Sequence, residues 1–190
     1  MITVAPLAPP LVPKWYDLFR RASCPCHCRY WNFEGTKNDW LDRCANAEDE
    51  NAREQRALVE ADAPEGRGLV ALDGDLCVGW MKLGPRPKKL RAQSAYRSLP
   101  LEDDGVLSIG CFLVDPEHRR RGVVHALLEG AKHHARSVGA RAIEGYPRKC
   151  DTPLSDDEAF MGPIDAYLAA GFQRVEGAFD AYPVFRFLVT

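Results

Sequence analysis

The chain has 190 residues, 46% of them hydrophobic, which is long enough to fill one core and too short for several. Lys and Arg number 25 against 27 Asp and Glu, a formal net charge of -2, so no overall positive field draws the protein to nucleic acid or an anionic membrane. No apolar run approaches the roughly 20 residues that span a bilayer, and the first residues lack a charged stretch leading into an apolar one, so a single cytoplasmic domain over residues 1–190 is expected.

Residues 2–5 read as a short strand, after which Pro6, Pro9, Pro10 and Pro13 keep the backbone extended up to Lys14. Residues 15–21 read as a helix. Next comes Cys24-Pro25-Cys26-His27-Cys28-Arg29-Tyr30-Trp31, with four metal-ligand side chains within five residues. Zinc sites use two ligand pairs separated by a longer loop, and no second Cys/His pair lies nearby, so a buried aromatic-rich turn stands beside zinc as the other reading and no metal is expected. The cysteine count, 7, is odd in a chain with a core of its own, which argues for reduced thiols over a disulfide framework. Residues 38–61, rich in Ala, Glu and Arg, predict one or two helices with Asn38 or Asp39 as the cap.

Residues 68–72 and 76–83 are β-rich runs separated by Asp73-Gly74-Asp75, the pattern of a hairpin. Residues 85–100 are basic and broken by proline, so Arg86, Lys88, Lys89, Arg91 and Arg97 are expected to project from a solvated loop. Residues 106–114 form a nearly continuous apolar run, as in a strand buried on both faces. Asp115-Pro116 ends it. Then come Arg119, Arg120, Arg121 and Gly122, followed by Val124, Leu127, Leu128, Ala131 and Ala135 at helical spacing. The arginines and the glycine therefore sit at a helix start, whose unpartnered N–H groups and positive dipole end suit a phosphate. A solvated first turn with an incidental glycine is the alternative.

The stretch VDPEHRRRGVVHALL, residues 114–128, resembles the acyl-CoA signature of the GNAT superfamily of N-acetyltransferases, Q/R-x-x-G-x-G/A after V-x-P. Arg119 takes the first place and Gly122 the second, while Val124 stands where the family usually has Gly or Ala. The resemblance implies acetyl-CoA as acyl donor. Phe112, Leu113 and Val114 would offer backbone groups to its pantetheine arm, and Arg119, Arg120, Arg121, Gly122, Val123 and Val124 would hold its pyrophosphate. The segment C-x-C-x-Y-W, residues 26–31, is similar to one that precedes the core in a subgroup of that family, which implies that Cys26, Cys28, Tyr30 and Trp31 line the acceptor pocket.

Gly139 stops the helix, and residues 141–146 read as a strand in a right-handed parallel crossover. A helix over 156–170, interrupted by Gly162-Pro163, precedes a final strand pair over 172–175 and 182–189. This order matches the GNAT fold: an α/β domain with a mixed, mainly antiparallel central sheet flanked by helices, its parallel central strands splayed to receive acyl-CoA. Tyr167, in Y-x-x-x-G-F, resembles the family tyrosine that protonates the departing thiolate, although Phe160 stands where the family often has Asn. A core tyrosine is the other reading.

Glu144 is a carboxylate in an otherwise apolar strand, which costs free energy unless it is paired or used. It is the expected base, with Tyr146 on the same strand face, and a solvated strand end is the alternative. The rings of Tyr30, Trp31, Phe33 and Tyr146 point to a small amine whose cation lies against them. The expected function is acetyl transfer to a primary amine by direct attack in a ternary complex. A non-catalytic CoA-binding or Cys-rich interaction module is the alternative, with no nucleic-acid or membrane partner, and a homodimer stays open.

Overall fold

The computed structural model describes residues 1–97, 99, 101, 103–155 and 158–190. Strand β1 (Ile2–Pro6) leads through a proline-initiated turn into α1 (Val12–Arg21), whose Trp15, Leu18 and Phe19 are buried. Beyond the cysteine segment lie α2 (Lys37–Asn46) and α3 (Glu48–Glu60). The cap of α2 is Thr36. Its hydroxyl accepts from the Asp39 N–H at 3.2 Å, and the Asp39 carboxylate accepts from the Thr36 N–H at 2.8 Å, a reciprocal pair that leaves Asn38 and Asp39, the expected caps, inside the first turn.

The hairpin is β2 (Gly68–Asp73) and β3 (Leu76–Gly84). Residues 85–100 differ from the expected loop, because Leu90, Tyr96 and Leu99 bury their side chains with Trp31 and Tyr146. Two one-turn helices result, α4 (Lys88–Arg91) and α5 (Ser94–Arg97), while Ser98 and Pro100 lie outside the described residues. Strand β4 (Val106–Val114), helix α6 (Val123–Ser137) and strand β5 (Ala142–Gly145) follow in the expected order. Helix α7 (Ile164–Ala169) is shorter than expected: Gly162 turns the chain at φ 87° and Pro163 caps the helix. The expected start at Asp156 and Asp157 falls outside the described residues. Strands β6 (Gln173–Arg174) and β7 (Phe185–Leu188) close the chain.

The seven strands make one sheet in the order β1-β2-β3-β4-β5-β7-β6. Among the described residues the β4–β5 pair is parallel and the other neighbours are antiparallel, so the mixed, mainly antiparallel sheet with parallel strands at its centre is present. One face packs under α6 and α7, with Met81, Ile109, Phe112, Leu127 and Leu128 in the core. The other packs under α1 through Trp15, Phe19, Val70 and Trp80. Side chains alternate between these faces along β3 and β4, which explains why both strands read as apolar throughout.

Strand β4 pairs with β5 only at Val106, Leu107 and Ser108. Opposite Lys82 and Leu83 the register slips, with Lys82 facing Cys111 and Leu83 facing Ile109, so Gly110 is an extra residue in β4. A bulge of this kind bends its strand. Past it, β4 runs on without β5, and the two parallel strands part where the site lies.

Candidate active site

A cleft of about 1550 Å³ opens along the free part of β4. Cys111, Phe112, Leu113 and Val114 form its floor, and the start of α6 forms one end. Gly122 precedes that helix in the left-handed region, φ 79° and ψ 9°, where L side chains are strained. No side chain caps the helix, so its first N–H groups stay available. Arg119 and Arg120 line the cleft beside Gly122, Val123 and Val124, whereas Arg121 is exposed and outside the lining. Successive residues point in different directions, which separates the three arginines. Val124, the departure from the signature, packs partly against the core under α6.

Asp115 fixes this turn from below. Its carboxylate accepts from Arg21 Nε at 2.8 Å and from the Glu117 N–H at 3.0 Å, tying the end of β4 to the end of α1. Burial alone would raise its pKa, and the hydrogen bonds from Arg21 and Glu117 outweigh it and hold the pKa low.

Alternation along β4 turns the N–H groups of Phe112 and Val114 towards the open edge, since the neighbouring Asp115 N–H donates to Val78 O on β3 at 3.0 Å. The Phe112 N–H already has a partner there, Phe160 O at 2.6 Å. The segment before α7 thus lies along the edge expected to receive the pantetheine arm.

Cys26, Cys28, Tyr30 and Trp31 line the same cleft as Arg119 and Arg120. Cys28 is bridged to Cys111 in a disulfide across 83 residues, which corrects the expectation that all the cysteines are reduced. The bridge forms because the cysteine segment crosses β4, a proximity that no local spacing reveals. The other five cysteines stay outside it, and Cys24 Sγ and Cys26 Sγ approach to 3.3 Å. The Cys24 side chain and burial raise the Cys26 pKa, so its thiol stays protonated. Among the described residues no group of three His, Cys, Asp or Glu side chains is placed to hold a metal.

A domain model described as the acetyltransferase (GNAT) family matches residues 15–153. The chain belongs to this family of acetyltransferases. Solved structures share the fold at low sequence identity. A GCN5-related N-acetyltransferase from Kribbella flavida is 20% identical with a TM-score of 0.56, covering 98% of this chain and 97% of that one. The PaiA N-acetyltransferase from Thermoplasma acidophilum, solved with coenzyme A, is 10% identical with a TM-score of 0.57 and 99% coverage of both. A GNAT family acetyltransferase from Brucella melitensis, solved with acetyl-CoA, is 14% identical with a TM-score of 0.51, covering 97% and 86%. No curated protein matches the chain in sequence.

Three residues expected at the centre of this GNAT site lie behind the cleft wall. Tyr167 is fully buried in the gap between β4 and β5, edge-on to Phe112, and its hydroxyl donates to Met161 O at 2.8 Å. Gly145 makes room for it, because a Cβ there would stand 2.2 Å from the Tyr167 ring. Burial pushes the Tyr167 pKa well up. Glu144, also fully buried, binds Arg86 at 2.5 Å through one oxygen and Arg186 at 2.6 Å through the other. Both oxygens are therefore occupied, unlike those of a base waiting for substrate.

Tyr146 donates to Glu144 at 2.9 Å and accepts from Arg86 Nε at 2.7 Å, so it joins this network and not the cleft. Arg86, expected on a solvated loop, has a side chain only 1% exposed. The ring faces reserved for a substrate cation also have an occupant: Lys89 Nζ lies 4.4 Å from the Tyr30 centroid and 5.7 Å from that of Phe33. Lys82 and Arg29, both buried beside the bulge, escaped the sequence reading. A charge inside the apolar run LCVGWMKLG was the available signal, the same one that singled out Glu144.

Proposed function

We propose that the protein transfers the acetyl group of acetyl-CoA to a primary amine, in a ternary complex and without an acyl-enzyme. One observation carries this reading: the uncapped, glycine-led start of α6 and the edge of β4 beyond its pairing with β5 open on a single cleft. The first turn of α6 with Arg119 and Arg120 suits the pyrophosphate. The pantetheine arm lies along β4, where its amide takes the Phe112 N–H from Phe160. Cys26, Cys28, Tyr30 and Trp31 form part of the cleft wall. The C-x-C-x-Y-W subgroup and a cytoplasmic location belong to the same reading.

The amine reaches the thioester as the free base after losing a proton to water, and its lone pair forms the C–N bond as the C–S bond breaks. Displacing Phe160 O from β4 also moves the adjacent Met161 O, which holds the Tyr167 hydroxyl behind the cleft wall; the hydroxyl so released gives its proton to the thiolate and regains one from solvent through the opened wall. Alignment and exclusion of water supply most of the acceleration. Glu144 acts here as a positioning residue that holds Arg86 and Tyr146.

Calorimetry with CoA tests the reading, since no heat at millimolar ligand with folded protein would overturn it. Tyr167→Phe is expected to lower turnover about 100-fold, within the usual range for a lost proton donor, and to leave the CoA Kd unchanged. Full activity in that variant removes Tyr167 from the mechanism.

A further inference from the structure

A second pocket, of about 540 Å³, shares Trp31 with the acyl cleft. Its inner wall is Lys82 on β3 with Ser108 and Gly110 on β4. Gly110 borders this pocket and Cys111, the next residue, borders the cleft, so consecutive residues of β4 serve the two spaces. Trp31 stands at the junction, its Nε1 donating to Gly110 O at 2.8 Å.

The lining is cationic. Arg29, Lys82, Arg86, Lys88 and Lys89 face two carboxylate side chains, Glu34 and Glu65. Arg86 is already committed to Glu144, and Lys89 to the aromatic rings. The two buried cations are in a different position. Lys82 is 4% exposed and donates to the Glu65 carbonyl, and among the described residues it forms no ion pair. Arg29 is 3% exposed and shares that carbonyl at 3.3 Å, with Glu54 at 2.5 Å on its outer side.

Two buried cations thus meet on one neutral oxygen, and burial with the neighbouring Arg29 charge lowers the Lys82 ammonium to about 7. Arg29 Nε and Asn32 Oδ1, both shielded from solvent, have no hydrogen-bond partner among the described residues. A donor of planar guanidinium geometry, a lysine lacking a counter-ion and an unused amide oxygen answer to one ligand type, a carboxylate with an N–H group close by.

We propose that this pocket holds the carboxylate of the acetyl acceptor, so that the acceptor is an amino acid or a close analogue and not an uncharged amine or polyamine. The carboxylate seats against Lys82 and Arg29, and the amine passes Trp31 towards the thioester. The proposal rests on the acetyl-transfer reading. A polyamine is disfavoured on both counts, because the pocket repels its charge and Lys89 already lies over the rings.

The test is calorimetry of the CoA-loaded protein with N-acetyl amino acids and with the corresponding N-acetyl amino acid amides, which differ in one charge. Carboxylates are expected to bind about tenfold or more tightly than amides, a margin one charge-assisted contact supplies. Lys82→Met is expected to erase that preference while leaving CoA affinity unchanged, and the exposed rim variant Lys88→Ala to reduce it by less. If Lys82→Met does not fold, the wild-type comparison and Lys88→Ala still decide.

Equal or tighter binding of the amides, no binding of any carboxylate, or an unchanged preference in Lys82→Met overturns the proposal. CoA binding is measured in the same experiment. Its loss would sink the acetyl-transfer reading, whereas CoA binding without carboxylate preference would sink this inference alone.

Discussion

Lys82 gives the pH dependence of stability a definite sign. Its ammonium titrates at about 7 in the folded protein, against 10.5 for an ordinary lysine. Arg29 from the cysteine segment faces it and lowers the pKa further, while Glu65 before β2 and Glu54 on α3 partly offset the effect. Between those two pH values the unfolded chain holds a proton that the folded chain has released, so stability rises with pH by up to about 1.4 kcal/mol per unit. Below 7 both states are protonated and the cost of the buried charge is fully present. Lys82→Met is expected to be more stable than the parent at pH 6 and to lose this rise; urea midpoints at pH 6, 7.5 and 9 check it, and an unchanged slope would exclude Lys82 as its source. At this scale the sequence was legible where partners are neighbours in the chain. Arg119, Arg120, Gly122, Val123 and Val124 fall together on the cleft because one turn carries them all. Glu144 was correctly seen as needing an explanation, but its partner Arg86 is 58 residues away, so spacing could not distinguish a base from an ion pair.

Glu144 also works between elements, tying β5 to β7 through Arg186 and to the segment after β3 through Arg86. Removing one member of a buried charge network leaves the others desolvated, at a cost of about 3–5 kcal/mol. Glu144→Gln is accordingly expected to lower the unfolding free energy by that amount, read from denaturant titration, while CoA affinity stays unchanged. Stability equal to the parent's would show that the network does not hold these strands together. Strands β2, β3 and β4 and helix α6 were readable because hydrophobic period, a D-G turn and a proline mark their ends. Helices α4 and α5 were not, since basic residues and prolines dominate residues 85–100 while Leu90, Tyr96 and Leu99, spaced too widely for a helical pattern, turn inward. The late start of α7 has a local cause visible in the sequence, Gly162-Pro163, where the proline becomes the cap and the helix begins only after it.

For the whole molecule, the order of strand, crossover helix and strand made the central parallel pair legible, whereas the register slip at Gly110 depends on how β3 meets β4 and leaves no mark in either strand alone. The Cys28–Cys111 bridge is the other long-range feature that composition could not reveal. Closing a loop of 83 residues restricts the unfolded chain by about 4.5 kcal/mol in the chain-entropy account, so adding reductant is expected to lower unfolding stability by up to that much. An unchanged denaturation curve would show that the bridge contributes nothing. The bridge also makes a covalent ring of everything between its ends, including α2, α3 and the β2–β3 hairpin. A protease that cuts once at the exposed residues 34–39 opens that ring without dividing the molecule, and the product should run as one band on a gel until thiol is added and then as two. A cut at the exposed residues 150–152, outside the ring, should release a fragment under either condition.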